Sequence, residues 1–128
     1  MIEVDVERWD VTIRMVGIVR DKDWDAAVSM LEQKLGPPAS WHVVSAGSRL
    51  RVLMDWENLE GWEERARSGC TWFCMGNQDL VERLAIVGDE RWRDEKDRMV
   101  DIYKRAQVHF FSPAERDQAV KWLKQVDR

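Results

Sequence analysis

Ile2, Val4 and Val6 alternate with Glu3, Asp5 and Glu7. A period of two, apolar on one side and charged on the other, predicts a strand with one wet face. Val11, Ile13 and Met15 repeat the pattern, and residues 16–19 (Val-Gly-Ile-Val) are apolar on both sides, as in a buried central strand. The two runs predict an antiparallel hairpin turning at Arg8-Trp9-Asp10. The period then lengthens. Trp24, Ala27, Val28, Leu31 and Leu35 fall at helical spacing. Asp21 or Asp23 serves as N-cap, Gly36 ends the helix, and Pro37-Pro38 prevent its resumption.

Residues 41–45 predict a short strand, residues 46–48 a turn, and residues 49–55 a strand with apolar bulk from Leu50, Val52, Leu53 and Met54. After Asp55 the spacing of Leu59, Trp62 and Ala66 predicts a helix, with Glu57, Glu60, Glu63 and Glu64 in its first turns, where negative charge suits the helix dipole. Ser68-Gly69 predicts a break, beyond which Cys70, Phe73, Cys74, Asn77, Leu80 and Val81 continue a helical face. Residues 84–88 predict an apolar strand; Trp92, Lys96, Met99, Val100 and Tyr103 a helix; and residues 107–111 the last strand. Ser112, Pro113 and Glu115 form a capping box with proline at the first helical position, opening a helix that buries Ala119, Val120, Leu123 and Val126. After the hairpin, strands and helices alternate, which implies parallel crossovers. The expected architecture is α/β: about five strands in a mostly parallel, mixed sheet opened by a β-hairpin, with four to five helices, in a single domain over residues 1–128.

Charge narrows the function. Twenty Lys and Arg are interspersed with 24 Asp and Glu, for a net charge of −4. No basic block exists to neutralise phosphates, so nucleic acid is not an expected partner. No stretch approaches the ~18 apolar residues of a membrane span. The N-terminus lacks a signal core, and two cysteines fit a reducing compartment, so the expected location is the cytoplasm.

Few residues offer chemistry. No glycine-rich phosphate loop and no nucleophile-elbow motif is present. Asp21, Asp55 and Asp89 stand at carboxyl ends of the expected strands, where α/β folds bind ligands. As helix N-caps they carry no chemistry; as converging strand-edge acids, Asp55 and Asp89 would hold a divalent cation for an enzyme. Neither His42 nor His109 has a partner at ligand spacing. Cys70 and Cys74 stand four apart on one helical face, half of a four-coordinate metal site, and without a second thiol pair they read as buried structural thiols. Glu60 and Glu64 read as a solvated face. No enzyme class, cofactor or metal is expected on this showing.

Tryptophan is the anomaly: 8, against 3 Phe and 1 Tyr. Trp56, Trp62, Trp72 and Phe73 cluster after the Asp55 strand. On a helix, residues six apart point about 120° away from overlap, so Trp56 and Trp62 would not both sit centrally in one stripe. The indoles either fill a small core or line an apolar cavity. The second alternative makes the chain a non-enzymatic binding module for an apolar small molecule or lipid, held between sheet and helices by Trp56, Leu59, Trp62, Trp72, Phe73 and Met75, with Ser68-Gly69 as the hinge. The competing alternative is a protein partner or a homodimer on the same surface.

Two segments resemble the SpoIIAA-like family. Residues 53–62 (Leu-Met-Asp-Trp-Glu-Asn-Leu-Glu-Gly-Trp) are similar to its D-W-x-x-L-x-G-W signature, and residues 83–92, from Arg83 through Val87-Gly88-Asp89 to Trp92, to its R-x-A-(V/I)-V-G-D-x-x-W segment. Residues 108–111 and 119–123 match its last strand and helix. The resemblance covers residues 10 to 125 and implies the STAS-like fold, grouped also with the lipid-binding Sec14 (CRAL-TRIO-like) fold. It also implies a difference: anti-sigma factor antagonists are switched by phosphorylation of a serine after the matching aspartate, and here Trp56 follows Asp55. Indole cannot accept phosphate.

Overall fold

The computed structural model describes residues 1–7, 10–35, 50–76, 80–104 and 106–125, and of Trp72 only the backbone. Strands β1 (Ile2–Glu7) and β2 (Asp10–Val19) precede helix α1 (Asp21–Leu35); β3 (Leu50–Trp62) and α2 (Glu64–Gly76) precede β4 (Val81–Gly88); a 3-10 turn (Glu90–Trp92) leads into α3 (Arg93–Ile102); β5 (Gln107–Phe111), a second 3-10 turn (Pro113–Glu115) and α4 (Arg116–Lys124) complete the order. Of the expected turn at residues 8–10, Asp10 begins β2; residues 8–9, the strand at 41–45, the turn at 46–48, the helix stop at Gly36, and His42, Asn77 and Val126 lie outside the described residues.

The sheet runs β1-β2-β3-β4-β5, with β1 antiparallel to β2 and the other neighbours parallel. Crossovers of this kind share one hand. Strands added in succession toward one edge therefore place all their helices on one face. Trp24, Ala27 and Leu31 of α1, Ala66, Cys70 and Cys74 of α2, and Met99 and Ile102 of α3 all join Val11, Ile13, Val52, Met54 and Ile86 in the main core. Among the described residues α4 alone covers the opposite face, where Ala119 and Leu123 pack on Leu53, Ala85 and Val87. Beyond its reach, Glu3, Asp5 and Glu7 of β1 remain exposed, as their alternation with valines requires.

Three expectations are corrected. The chain after Asp55 is strand, not helix: β3 continues to Trp62. Its pairing with β2 slips twice, Arg14 and Val16 lying opposite Asp55 and Asn58, and Gly17 and Ile18 opposite Leu59 and Gly61. Each slip inserts one extra residue into β3, and each bulge resets which parity faces inward. Inward positions thus run 52, 54, 56, then 59, then 62, and the step of three from Leu59 to Trp62 mimics a helical period. Gly17 sits at the second slip with φ of 71°, a left-handed conformation that glycine adopts without steric cost.

The second correction concerns Ser68-Gly69. Helix α2 passes through it without a break. A Cβ at Gly69 would stand 3.0 Å from the Trp24 indole; the glycine lets α1 and α2 approach. It is a packing contact within an unbroken helix. Third, the helical face ends earlier than the apolar spacing suggested, because Val81 already begins β4. The final capping box is present, Glu115 Oε1 accepting from the Ser112 amide at 2.9 Å, but its first turn is 3-10 before α4 begins.

Candidate functional site

The sheet and the helices above it meet imperfectly at one place. Ile13, Val52 and Met54 on the floor, Trp24 and Leu31 from α1, and Phe73 from α2 line a partly open pocket of about 40 Å³. Trp24 meets Phe73 edge-on, with centroids 5.6 Å apart at 79°. Cys74 and Tyr103 supply the polar atoms of its wall. An engineered 150 Å³ apolar cavity accepts benzene, whereas about 10–15 Å³ suffices for one water. A pocket of about 40 Å³ takes a group of a few carbons.

Of the expected lining residues, Phe73 faces this cavity. Trp56 and Leu59 are fully buried in the main core. Met75 is 45% exposed on the outer side of α2, and the Trp72 side chain lies outside the described residues. Trp24, Leu31, Val52 and Tyr103 were missed because their spacing reads as ordinary core. Nothing in a single sequence separates a well-filled stripe from one beside a gap.

Trp62 belongs to a different feature. At the carboxyl ends of β3 and β4, Trp56, Trp62 and Trp92 form a ladder of edge-on indoles, with centroids 5.5 Å and then 5.3 Å apart. It runs from fully buried Trp56 to half-buried Trp62 and Trp92. Arg91 lies over the Trp92 ring at 4.8 Å and donates to the Leu59 carbonyl at 2.7 Å. Gly88 is required here: a Cβ on it would stand 3.1 Å from that of Trp56. The indole N–H groups of all three are buried without a hydrogen-bond partner among the described residues, so the ladder is held by ring contacts and burial, not by polar bonds.

The strand-edge acids each have partners of their own. Asp55 is not an N-cap; it lies within β3, 2% exposed, on the face covered by α4. Arg116, the first residue of α4, donates to its Oδ2 at 2.6 Å, and the same nitrogen donates to Glu57 at 2.9 Å. Arg14 stands 3.9 Å away, and the Glu57 amide donates to Oδ1 at 3.0 Å. Burial, with the Asp55 charge beside it, pushes the Glu57 carboxyl above its ordinary value against the pull of Arg116. Asp89 instead caps the 3-10 turn, accepting from the Arg91 amide at 3.1 Å. Among the described residues no three His, Cys, Asp or Glu side chains gather as a metal site, and no helix is long and apolar enough to cross a membrane.

Buried Arg83 serves the fold in a way its sequence position hid. It donates to the Trp122 carbonyl at 2.5 Å and lies 5.2 Å from that ring, while Arg51 donates to the Leu123 carbonyl at 2.6 Å. Two guanidinium groups thus meet the carbonyls of the last turn of α4, where positive charge is favoured.

Known structures share this architecture. A crystal structure of an uncharacterized protein of the DUF3478 family with a SpoIIAA-like fold, from Shewanella loihica PV-4, is 20% identical; the likeness covers 96% of this chain and 92% of that one, with a TM-score of 0.69. The anti-sigma factor antagonist SpoIIAA in its unphosphorylated form is 10% identical over 98% of this chain and 100% of that one, with a TM-score of 0.61. No match to the chain is found among curated proteins. The SpoIIAA-like family description matches residues 11–124, a span that contains the bulged β3, the Trp ladder and the Arg83 and Arg116 contacts, and the chain belongs to the SpoIIAA-like family.

Proposed function

We propose that this protein is a non-enzymatic binding module that takes an apolar small molecule between its sheet and helices α1 and α2. The cavity under Trp24 and Phe73 carries the reading: its floor and sides are aliphatic and aromatic, with one thiol and one phenol at its wall. Apolar pockets with few polar groups are the usual form of small-molecule sites. A volume of about 40 Å³ favours a short aliphatic group over a ring or a whole lipid.

Native mass spectrometry of protein purified without detergent, with Trp fluorescence during titration of fatty acids of increasing chain length, tests the reading. Binding should be lost in Val52→Phe, which fills the floor. Absence of added mass together with unchanged fluorescence, or equal binding by Val52→Phe, overturns it. The second reading, a protein-interaction or homodimer module of STAS type, draws on the fold shared with an anti-sigma factor antagonist and on exposed Met75. Trp56 provides no phosphorylatable hydroxyl at its position. Concentration-dependent dimerisation that Met75→Lys abolishes favours this second reading.

A further inference from the structure

Cys70 and Cys74 are the chain's two cysteines. They stand one turn apart on α2, both turned inward, 1% and 2% exposed, with their sulfurs 4.0 Å apart. We propose that they form a two-coordinate site for a soft, thiophilic monovalent cation of the Cu(I) or Ag(I) class, independent of any ligand in the apolar cavity. Geometry separates this from a disulfide. An S–S bond of about 2.05 Å demands Cβ atoms roughly 3.5–4.5 Å apart, whereas a helix holds residues four apart at about 5–6 Å. The sulfurs would have to close by about half their separation, and the helix would have to distort. A cation bridging them needs far less. With thiolate–metal bonds of about 2.3 Å, sulfurs at the present separation give an S–metal–S angle near 120°, and a linear bridge needs them to part by only about 0.6 Å, within reach of small side-chain rotations.

The donor set decides the class of ion. No third His, Cys, Asp or Glu joins the pair among the described residues, so a four-coordinate ion such as Zn(II) is left two ligands short. Soft d10 monovalent ions select thiolates and are content with two. Each thiol gives up its proton to water as its bond to the metal forms; nothing is oxidised. Two thiolates and one monovalent cation leave a single negative charge, and Arg98 of α3 is the positive group acting on both sulfurs. Its Nη2 is buried with no hydrogen-bond partner among the described residues. Glu95 also faces the pair but is neutralised by Arg98 at 3.0 Å and Arg67 at 2.9 Å. Cys70 and Cys74 share a hydrogen bond, and the Tyr103 hydroxyl bonds to the Cys74 sulfur. That hydroxyl also orients the Cys74 sulfur, as outer-shell donors do at metal sites. Cys74 lies on the cavity wall, which gives a desolvated ion its way in.

The test is anaerobic competition for Cu(I) against a chromophoric Cu(I) chelator, on the intact chain, with Ag(I) thermal melts alongside. One Cu(I) per chain is expected, with Zn(II) unable to displace it. Arg98→Met should weaken it by about 10-fold, and Cys70→Ala and Cys74→Ala by more than the roughly 100-fold upper range of outer-shell changes. Ag(I) should raise the melting temperature of the unaltered protein, because the fold holds the sulfurs in place and the unfolded chain does not; this readout stands even if a cysteine variant fails to fold. Undiminished binding by the folded alanine variants, equal Cu(I) affinity of the urea-unfolded chain, displacement by Zn(II), or a melting temperature unmoved by Ag(I) each overturns the proposal. Fatty-acid binding is read separately through Val52→Phe, which leaves both sulfurs in place.

Discussion

Replacing Arg116 by methionine strands a carboxylate. Asp55 is 2% exposed and Arg116 donates to it at 2.6 Å; the same guanidinium serves Glu57. Removing one partner of a buried pair costs about 3–5 kcal/mol, because the other charge stays desolvated. Two features lower that figure here. The Arg116 side chain is 39% exposed, so water partly replaces it, and Arg14 remains 3.9 Å from the same oxygen. The expected loss is about 2–3 kcal/mol. At roughly 2.1 cal/mol/K of unfolding entropy per residue, it lowers Tm by about 10 °C. Urea unfolding and calorimetry measure both. The double variant Asp55→Leu, Arg116→Met removes both charges and should recover more than half of the loss, since apolar replacement of a buried pair is often neutral or stabilising. An Arg116→Met protein within about 0.5 kcal/mol of the parent, or a double variant whose losses simply add, would refute the assignment of Arg116 as the group that neutralises Asp55.

Gly88→Ala places a methyl group 3.1 Å from the Trp56 Cβ in a fully buried strand, and chemical denaturation should show a loss of about 1–3 kcal/mol from overpacking. Trp62→Ala removes the middle rung of the ladder and should cost about 2–4 kcal/mol, whereas Trp62→Phe keeps a ring between Trp56 and Trp92, discards an unpaired N–H, and should cost less than half as much. Glu57 gives a pH signature. Its folded carboxyl is raised above the ordinary 4.5, so the folded protein holds that proton more tightly than the unfolded chain. Its contribution to stability therefore falls as pH rises from 4.5 through the raised folded value. Glu57→Gln should flatten the stability curve over that window in urea titrations at stepped pH; an unchanged slope counts against the burial of Glu57.

Much of this architecture follows from local chemistry. The alternation of Ile2, Val4 and Val6 with acids, the helical stripe from Trp24 to Leu31 and the Ser112–Glu115 capping box each express a preference carried by neighbouring residues, and each recurs in the fold. Tertiary structure decided the rest. The run Leu59, Trp62, Ala66 has helical spacing, yet pairing with β2 through two bulges holds the chain in a strand as far as Trp62, because the ladder of hydrogen bonds to β2 outweighs a weak local period. Gly69 reads as a helix breaker until Trp24 is found against it. Asp55 reads as a cap until Arg116, 61 residues away, is found to neutralise it. A cavity is the hardest feature to read from sequence, since the same apolar stripe serves whether its partner touches it or stops short, and only the distance between layers distinguishes the two. What the linear order of residues determined was which faces would be buried; which atoms met there, and where they left a gap, was settled by the packing of three helices on one face of a bulged sheet.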